Sequence, residues 1–403
     1  MEVSQDSQLS LWGRLWYGWH GLSLLRGLHG TALGARLTAL LDLDPDRDDL
    51  IQMVDCCAAF QAALDRQGGD LGEALWLLLR EDDNLCVRRA GDLTGLGARL
   101  GRELEVLGAL SGLDGAAVWS WLPEDFPLTL DWPAARRNFA RDYPAYLAEL
   151  PRQGFGVFAR YAMFTVRDGA LVPVAYPDPQ RLDRLYRYER ERAPILANTQ
   201  ALLEGRPANN VLLYGDAGTG KSATVKAIVN EYRDRGLRLI ELKKSQLHQL
   251  PEVLEQIGRN PLKFLIYIDD LSFAANDDNF SALKAVLEGS AGGHTGNFAV
   301  YATSNRRHLV KENFGDRTGD EIHLADTMQE LMSLSARFGL TVTFQRPDKA
   351  LYLDLVRTLA RQGGVTLDDA ELERRAEAHA IRCGGRSPRL AKQFAEMLAA
   401  GVA

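Results

Sequence analysis

Apolar positions repeat at helical spacing through the first part of the chain. The stretches "DLIQMVDCCAAFQAALDRQ", "DLGEALWLLLREDDNL" and "LTGLGARLGRELEVLGALSGL" each place apolar residues about every three or four positions. Trp12, Trp16 and Trp19 stand at i, i+4 and i+7, so they share one face of a helix. We therefore predict a mainly helical N-terminal domain over residues 1–150.

The pattern changes after residue 150. In "GFGVFARYAMFTVRDGALVPVAYPDP", aromatic and β-branched residues surround the turn at Arg167–Gly169, which predicts a β-hairpin. "YPDP" at Tyr176–Pro179 is typical of a linker. From Gln180 onward, helical segments alternate with short apolar strands, and this alternation predicts a parallel sheet covered by helices, an α/β fold.

Length and composition limit the class of protein. A chain of 403 residues is long enough for two or three domains. The net charge of -7 gives no general electrostatic reason to bind nucleic acid. The four cysteines form no C-x-x-C pair, so neither a zinc site nor a disulfide framework is indicated. We expect them to be buried small apolar groups in a reducing, cytoplasmic setting.

The N-terminal segment "LSLWGRLWYGWHGLSLLRGLHG" raises the question of a membrane. Arg14, His20 and Arg26 interrupt it, and no apolar run approaches the roughly 18 to 20 residues of a span. The acidic start Met1-Glu2 does not fit a signal peptide. The tryptophan face leaves two interpretations open, packing in a core or on a partner, and contact with a membrane surface.

One segment carries a specific chemical motif. Residues 215–222 fit G-x-x-x-x-G-K-[ST], between the apolar strand "NVLLY" and the helical pattern "KSATVKAIVNEY". The glycines let backbone N–H groups face an anion, and the helix adds its N-terminal dipole. Lys221 can then reach the β- and γ-phosphates of a nucleotide, and Ser222 can place its hydroxyl on Mg²⁺. The candidate nucleotide-binding residues are Gly215, Asp216, Ala217, Gly218, Thr219, Gly220, Lys221, Ser222 and Ala223.

An acidic pair follows the next fully apolar strand. In "KFLIYIDD", Phe264–Ile268 predict a buried strand that ends in Asp269 and Asp270. Ligands of open α/β sheets bind at the carboxyl ends of the strands, where this pair would lie. We expect Asp269 to hold Mg²⁺, mostly through water, and Asp270 to orient or activate an attacking water.

Three further polar residues stand near the ends of predicted elements. Asn305 ends "NFAVYATSN", Arg337 precedes a strand in "SARFGLTVTF", and Arg389 begins a helix in "GGRSPRLAKQF". Asn305 can position a lytic water or contact a γ-phosphate, or it can be an ordinary turn residue, and both interpretations stay open. An arginine before a strand is commonly just solvated, and taken singly none of the three residues indicates a function.

The order of these features resembles that of AAA+ ATPases over about residues 185–403. The resemblance implies an AAA+ nucleotide-binding domain over 185–346 and a C-terminal helical lid over 347–403, with the hairpin and linker at 151–184. It implies that Arg337 is an arginine finger offered to the neighbouring subunit's nucleotide and that Arg389 is the sensor-2 arginine, with Arg386 as its competitor. It also implies ATP and Mg²⁺ as cofactors, and a ring or spiral of identical subunits, a hexamer by analogy.

Longer segments make the resemblance more specific, from the AAA+ superfamily to one family within it. "RPANNVLLYGDAGTGKSATVKAIVNEY", "DDLSF", "LKAVLEG" and "YATSNRRHLV" resemble an uncharacterised bacterial AAA+ family known only as a domain of unknown function. The resemblance is expected to cover most of the chain, including the helical front and the hairpin. The pair Asp269-Asp270 replaces the more usual Asp-Glu and, like "SARFG", resembles initiators and helicase loaders. This departure puts fast hydrolysis in doubt. In that family Tyr188-Glu189 would lie near the adenine, although a simple packing role is equally open.

Two functions compete at this stage. One is an ATPase that remodels or loads an unknown protein or protein–nucleic-acid client, and the other is a slow assembly switch driven by ATP binding. A metabolic kinase fits less well. DNA binding is possible but not favoured, because no helix-turn-helix pattern is evident. Its candidate contacts are "SNRRHLVKENFGDR" at Ser304–Arg317 and the basic lid residues Arg374, Arg375, Arg382 and Lys392.

Overall fold

A computed structural model of the protein describes residues 10–89, 92–271, 283, 284, 287, 296–305 and 337–402. The chain divides into two compact units, Met1–Arg160 and Tyr161–Ala403. The first unit is helical, and the second contains the β-sheet together with its helices. The predicted hairpin therefore belongs to the same unit as the parallel strands.

Capped helices around a leucine-rich core form the first unit. Asp49 and Asp70 each cap a helix, because their carboxylates accept hydrogen bonds from the backbone N–H groups of Gln52 at 2.8 Å and Glu73 at 2.9 Å. These helices confirm the mainly helical N-terminal region. A 3-10 helix lies at Arg26–Gly30, and the described α-helices are α1 (Leu11–His20), α2 (Ala32–Leu41), α3 (Leu50–Asp65), α4 (Leu71–Glu81), α5 (Leu85–Arg88), α6 (Gly97–Leu110), α7 (Gly115–Trp119), α8 (Phe139–Ala148), α9 (Leu150–Gln153) and α10 (Val157–Arg160).

The tryptophan face of α1 packs inside the first unit. Each indole N–H donates to α2 or to the residue after it: Trp12 to Leu41 O at 3.2 Å, Trp16 to Asp42 Oδ1 at 2.7 Å, and Trp19 to Thr38 Oγ1 at 2.8 Å. Trp19 is fully buried. Of the two interpretations, packing within the protein describes this face, because the polar edges of the rings are paired with its own second helix.

The second unit is built on a seven-stranded sheet of order β2-β1-β4-β5-β6-β3-β7. The β1–β2 pair is antiparallel, and the remaining neighbours in this order are parallel. Strands β3 to β6 are mostly buried, as their continuous apolar sequences predict. The strands are β1 (Met163–Arg167), β2 (Ala170–Pro173), β3 (Val211–Gly215), β4 (Leu237–Leu242), β5 (Lys263–Ile268), β6 (Phe298–Ser304) and β7 (Leu340–Phe344).

The hairpin prediction is confirmed. Strands β1 and β2 are joined by Asp168 and Gly169, which have φ angles of 51° and 75°. Two consecutive left-handed residues make the type of turn that matches the right-handed twist of a hairpin. The side of β1 away from β2 pairs with β4, so the hairpin extends one edge of the parallel sheet.

Helices accompany the sheet and form a separate bundle at the C-terminus, so the predicted fold class is confirmed. The last three helices have their own apolar core, which includes Tyr352, Val356, Leu372 and Phe394. We call these three helices the lid. The described α-helices of the second unit are α11 (Glu189–Leu203), α12 (Lys221–Tyr232), α13 (Leu250–Ile257), α14 (Lys349–Gln362), α15 (Asp369–Arg382) and α16 (Pro388–Ala399), with 3-10 helices at Leu182–Arg184, Arg233–Arg235 and Lys244–Gln249.

The expectations for cysteines and membrane segments have different outcomes. Cys57 and Cys86 are buried and Cys56 is half-buried, but Cys383 is exposed, so the expectation of burial is wrong for that thiol. The reason is its position after α15, where the chain leaves the helix and turns through Gly384.

Within the described ranges, no helix has the length and apolar content needed to cross a bilayer.

Candidate functional site

The glycine-rich motif forms a tight loop between β3 and α12. Gly215 and Gly218 have φ angles of 136° and 78°, which L-residues rarely adopt. A Cβ atom on Gly215 would also lie 2.0 Å from the carbonyl oxygen of Phe344, so a side chain has no room there. The loop leads into the N-terminus of α12, a 12-residue helix whose free N–H groups favour an anion.

Lys221 is the first residue of α12, and its side chain folds back over the loop. Its Nζ donates to Gly215 O at 2.7 Å, to Asp216 O at 2.8 Å and to Asn305 Oδ1 at 3.1 Å. Burial lowers the pKa of Lys221, while neighbouring carboxylates act to raise it. The ammonium group therefore lies among the oxygens of the loop, where a bound anion would compete for it.

Four donors converge on one oxygen of Asp269, which follows β5. Although burial acts to raise it, hydrogen bonds, above all those from Thr303 and Tyr267, hold the pKa of Asp269 below its ordinary value. Asp269 is therefore ionised at neutral pH. Its Oδ1 accepts from Ser222 Oγ at 2.9 Å, Tyr267 OH at 2.7 Å, Thr303 Oγ1 at 2.5 Å and Asp270 N at 3.2 Å.

The pair formed by Ser222 and Asp269 has the chemistry of a Mg²⁺ site. Magnesium in nucleotide sites is held by one or two protein oxygens, with phosphates and water filling the other positions. A hydroxyl and an ionised carboxylate 2.9 Å apart beside the phosphate loop supply such oxygens. These residues fit the ion that the sequence predicts.

Asp270 has an unusual backbone conformation, with a φ angle of 51°. Apart from glycine, Asp and Asn are among the residues that enter this left-handed region most readily. The Asp270 N–H donates to Thr303 Oγ1 at 3.0 Å, and its Oδ1 accepts from Asn305 Nδ2 at 2.8 Å. Because Asn305 Oδ1 also accepts from Lys221, this amide joins the loop lysine to the second carboxylate.

The lid contacts the phosphate loop directly. The backbone N–H of Arg389 donates to Gly218 O at 3.2 Å. A Cβ atom on Gly218 would lie 3.1 Å from Ser387 Oγ and 3.3 Å from the Arg389 Cβ. Arg386 points elsewhere, because its guanidinium forms a two-pronged ion pair with Glu377 of the same lid at 2.9 and 2.6 Å. Of the two candidate arginines, Arg389 is the one at the loop.

A cavity of about 910 Å³ lies over the loop. Its volume is within the roughly 300–1,000 Å³ range of small-molecule sites. The carboxyl ends of β3, β5 and β6, the segment before α11, and helices α14 and α16 contribute to it. Its lining includes Lys221, Asp269, Asp270, Asn305, Leu355 and Arg389.

The segment before α11 also lines the cavity. Tyr188 stacks on Phe344, with ring centroids 5.8 Å apart, and its hydroxyl donates to Gln345 O at 2.7 Å. It therefore packs against β7 and also lines the cavity. The packing role is observed for Tyr188, and a position of Tyr188-Glu189 near the adenine stays a prediction. Tyr186 connects the segment to the lid, since its hydroxyl donates to Gln362 Oε1 at 2.8 Å.

Arg337 is not brought to the phosphate loop of its own chain. Strand β7 pairs Leu340 with Val211 and Phe344 with Gly215. At about 3.3 Å per residue, the distance along β3 from Val211 to Gly215 is about 13 Å. Because Arg337 precedes Leu340, it lies toward the amino ends of these strands, whereas the loop follows the carboxyl end of β3.

Parts of the sequence predictions lie outside the described residues. These parts include residues 306–317 of the basic segment, the first two residues of "SARFG", and most of "LKAVLEG". Among the basic lid residues, Arg374 and Arg375 both donate to Glu371, and Lys392 lines the cavity. Arg382 is exposed at the end of α15.

Sequence reasoning missed three residues of the site. Tyr267 and Thr303 each stand two positions before a predicted site residue, Asp269 and Asn305, and alternate strand residues point to the same face. That spacing could have indicated both. Arg192 is 7% exposed, lines the cavity and donates to Leu185 O at 2.7 Å. The charged stretch around it, "ERERAP", gives no sign of that burial.

Comparisons with solved structures give distant matches. Thermotoga maritima RuvB, a Holliday junction branch migration motor, is 19% identical, with a TM-score of 0.35 over 54% of this chain and 63% of that one. A DNA replication initiation factor is 15% identical, with a TM-score of 0.35 over 56% of this chain and 66% of that one. The chain spans less than two thirds of each, and such low scores support no argument about function. No curated protein matches.

A family model gives a more direct result. The model described as "Protein of unknown function (DUF815)" matches residues 158–402, which is more than half of the 403-residue chain. The match contains the sheet, the phosphate loop and the lid, and the first helical unit up to residue 157 lies outside it. The resemblance to a family of unknown function is thereby confirmed for the hairpin and the rest of the second unit, whereas the expected extension over the helical front lies outside the match. The chain belongs to the DUF815 family.

Proposed function

We propose that the second unit binds ATP with Mg²⁺ in the cavity over the phosphate loop. One observation carries the proposal: the loop, Lys221 and the Ser222–Asp269 pair meet at the carboxyl edge of one parallel sheet. The helix N-terminus and the lysine supply positive charge for the phosphates. Ser222 and Asp269 would hold the metal, which neutralises phosphate charge when bound.

We further propose that the bound ATP is hydrolysed between subunits. Asp270 is the group that would orient or activate water, and Asn305 holds its carboxylate at 2.8 Å. Arg389 approaches from the lid beside Gly218. Arg337 would act on a neighbouring subunit's nucleotide, a role supported by its distance from its own loop. An arginine that works only in trans requires head-to-tail contacts, which generate rings or spirals, with a hexamer proposed by analogy.

The test begins with the unmodified chain. A fluorescent ATP analogue should bind with an affinity that rises when Mg²⁺ is added, and unlabelled ATP should displace it. Phosphate release should depend on Mg²⁺, and a non-hydrolysable ATP analogue should increase the mass on sizing. A chain that binds no ATP with or without Mg²⁺ would contradict the proposal.

A slow assembly switch is the second candidate, and one observation favours it. The hydrogen bond from Asn305 engages the carboxylate of Asp270, and the short Asp side chain has little further reach. In this case ATP binding alone would drive assembly. Multiple-turnover rates separate the candidates: a switch would assemble with the non-hydrolysable analogue yet turn over ATP only slowly, whether or not DNA or a client is added.

The client stays open, and we propose that the first unit recognises it. This helical unit carries no catalytic motif, and partner recognition is a common task of such domains by analogy. Remodelling or loading of a protein client in the cytoplasm is the finer form of the proposal. Capture experiments with the first unit and with a variant chain lacking it would identify partners that depend on this unit.

A further inference from the structure

Thr303 occupies a central position in the acidic part of the site. It lies on β6, its side chain is 2% exposed, and its hydroxyl makes two hydrogen bonds. The hydroxyl donates to Asp269 Oδ1 at 2.5 Å and accepts from the backbone N–H of Asp270 at 3.0 Å. The backbone carbonyl of Thr303 also accepts from Leu271 N at 2.7 Å. One residue thus holds three consecutive residues after β5.

Tyr267 supports the same carboxylate from its own strand. It lies two residues before Asp269, is fully buried, and donates its hydroxyl to Oδ1 at 2.7 Å. Thr303 and Tyr267 therefore restrain Oδ1 from two neighbouring strands, β5 and β6. Two hydroxyl donors on rigid strands fix the plane of a carboxylate better than one flexible contact.

We propose that Thr303, assisted by Tyr267, is a positioning residue that orients the Asp269 carboxylate for a divalent cation. The inference rests on the proposed binding of ATP with Mg²⁺ and adds a specific determinant of metal affinity to it. Magnesium tolerates little departure from octahedral geometry, so a carboxylate held in one orientation binds it better than one that rotates. Outer-shell partners of metal ligands change metal affinity by roughly 10- to 100-fold when they are removed.

Thr303 also links this carboxylate to Asp270. Because the hydroxyl accepts from Asp270 N, it helps to keep that residue in its left-handed conformation, from which the side chain reaches Asn305. A valine at position 303 has nearly the same shape but can neither donate nor accept. The change therefore removes the two hydrogen bonds of the hydroxyl and leaves the backbone bond to Leu271 N in place.

The experiment measures the Mg²⁺ concentration at which fluorescent ATP reaches half of its Mg²⁺-dependent binding. Thr303→Val should raise this concentration about tenfold or more, and Thr303→Ser, which keeps the hydroxyl, should return it to within about threefold of the parent. Tyr267→Phe should shift it in the same direction. Affinity measured in EDTA should be unchanged, because the nucleotide then binds without the metal.

A matched control lies in the same unit. Thr199 is fully buried and its hydroxyl is 2.8 Å from the hydroxyl of Tyr301. Tyr301 lies beside Tyr267 in the sheet, but its hydroxyl contacts Thr199 and Asn198 of α11 rather than Asp269. Thr199→Val and Tyr301→Phe also remove buried hydroxyls but should leave the Mg²⁺ requirement unchanged. Thermal unfolding shows whether each variant is folded. If Thr303→Val does not fold, the Mg²⁺ requirements of Thr303→Ser and Tyr267→Phe still test whether these hydroxyls position the Asp269 carboxylate.

Several results would overturn the inference. One is an unchanged Mg²⁺ requirement in folded Thr303→Val and Tyr267→Phe, and another is an equal shift in Thr199→Val. A loss of affinity in EDTA as large as that in Mg²⁺ would also contradict it, because it would indicate a general disturbance of the cavity. Failure of the proposed function is distinguishable, since the parent chain would then show no Mg²⁺-dependent ATP binding at all.

Discussion

Replacing Lys221 by alanine is the simplest test of whether this side chain contacts the phosphates of ATP. The Lys221 ammonium makes three hydrogen bonds, to Gly215 O, Asp216 O and Asn305 Oδ1. When ATP binds, the ammonium must give up some of these hydrogen bonds. The contribution of Lys221 to affinity is therefore the difference between its contacts with phosphate and its contacts with the protein. A hydrogen bond to a charged group contributes about 1.5–3 kcal/mol net. At about 1.4 kcal/mol per factor of ten, Lys221→Ala should weaken ATP binding about ten- to a hundredfold.

The assay is a titration of fluorescent ATP in Mg²⁺, with unlabelled ATP as competitor. Lys226→Ala is the matched control, because Lys226 is on the same helix and its ammonium lies 3.9 Å from the carboxylate of Glu241. That variant loses the same charge and should bind ATP within about twofold of the parent, as expected for a weak, half-exposed pair. If Lys221→Ala binds as tightly as Lys226→Ala while both are folded, Lys221 does not contact the nucleotide.

Five further variants probe other parts of the site. Asp269→Asn should increase the Mg²⁺ needed for ATP binding, whereas Asp270→Asn should retain binding and slow single-turnover hydrolysis; equal loss of affinity in both would remove the distinction. Arg389→Ala should weaken ATP binding several-fold and Arg386→Ala should not, because only the first side chain lines the cavity; the opposite ranking would exchange their roles. Gly218→Ala should destabilise the loop by about 1–2 kcal/mol, measured by denaturant unfolding, because φ is 78° there; unchanged stability would contradict the strain argument.

Periodic signals predicted the fold well. Continuous apolar strands, glycine-rich punctuation and the helical spacing of leucines are local features, and each fixes an element without knowledge of its neighbours. The turn at Asp168-Gly169 is an example, because its residue types alone favour the left-handed conformation observed. The pairing of β1 with β4 at the edge of the parallel sheet was not predictable in the same way, because the sequence of a strand does not indicate which strand it pairs with.

In the candidate site, too, local sequence patterns indicated some residues, whereas other contacts depend on the tertiary fold. The spacing of the loop motif and the strand-end positions of Asp269 and Asn305 indicated which residues meet. The sequence did not reveal that Thr303 joins the two acidic residues, or that Arg192 is buried beside the cavity. Such contacts depend on strand order and helix packing. The spacing could have placed Thr303 on the same strand face as Asn305, but it does not indicate which residues of β5 the hydroxyl contacts, and the charged stretch around Arg192 gives no sign of its burial.

The central claim is an ATPase site completed between subunits, and mixing two inactive variants tests it most directly. Lys221→Ala lacks a working phosphate loop but keeps Arg337, whereas Arg337→Ala keeps the loop but lacks the arginine. An arginine finger can contribute about 10³-fold or more to rate, so each variant alone should have little activity. We expect mixtures to recover ATP turnover, with a maximum at intermediate ratios, because some interfaces combine an intact loop with an intact arginine. If mixtures at every ratio stay as inactive as the separate variants, while co-assembly is demonstrated, the claim of a shared site is wrong.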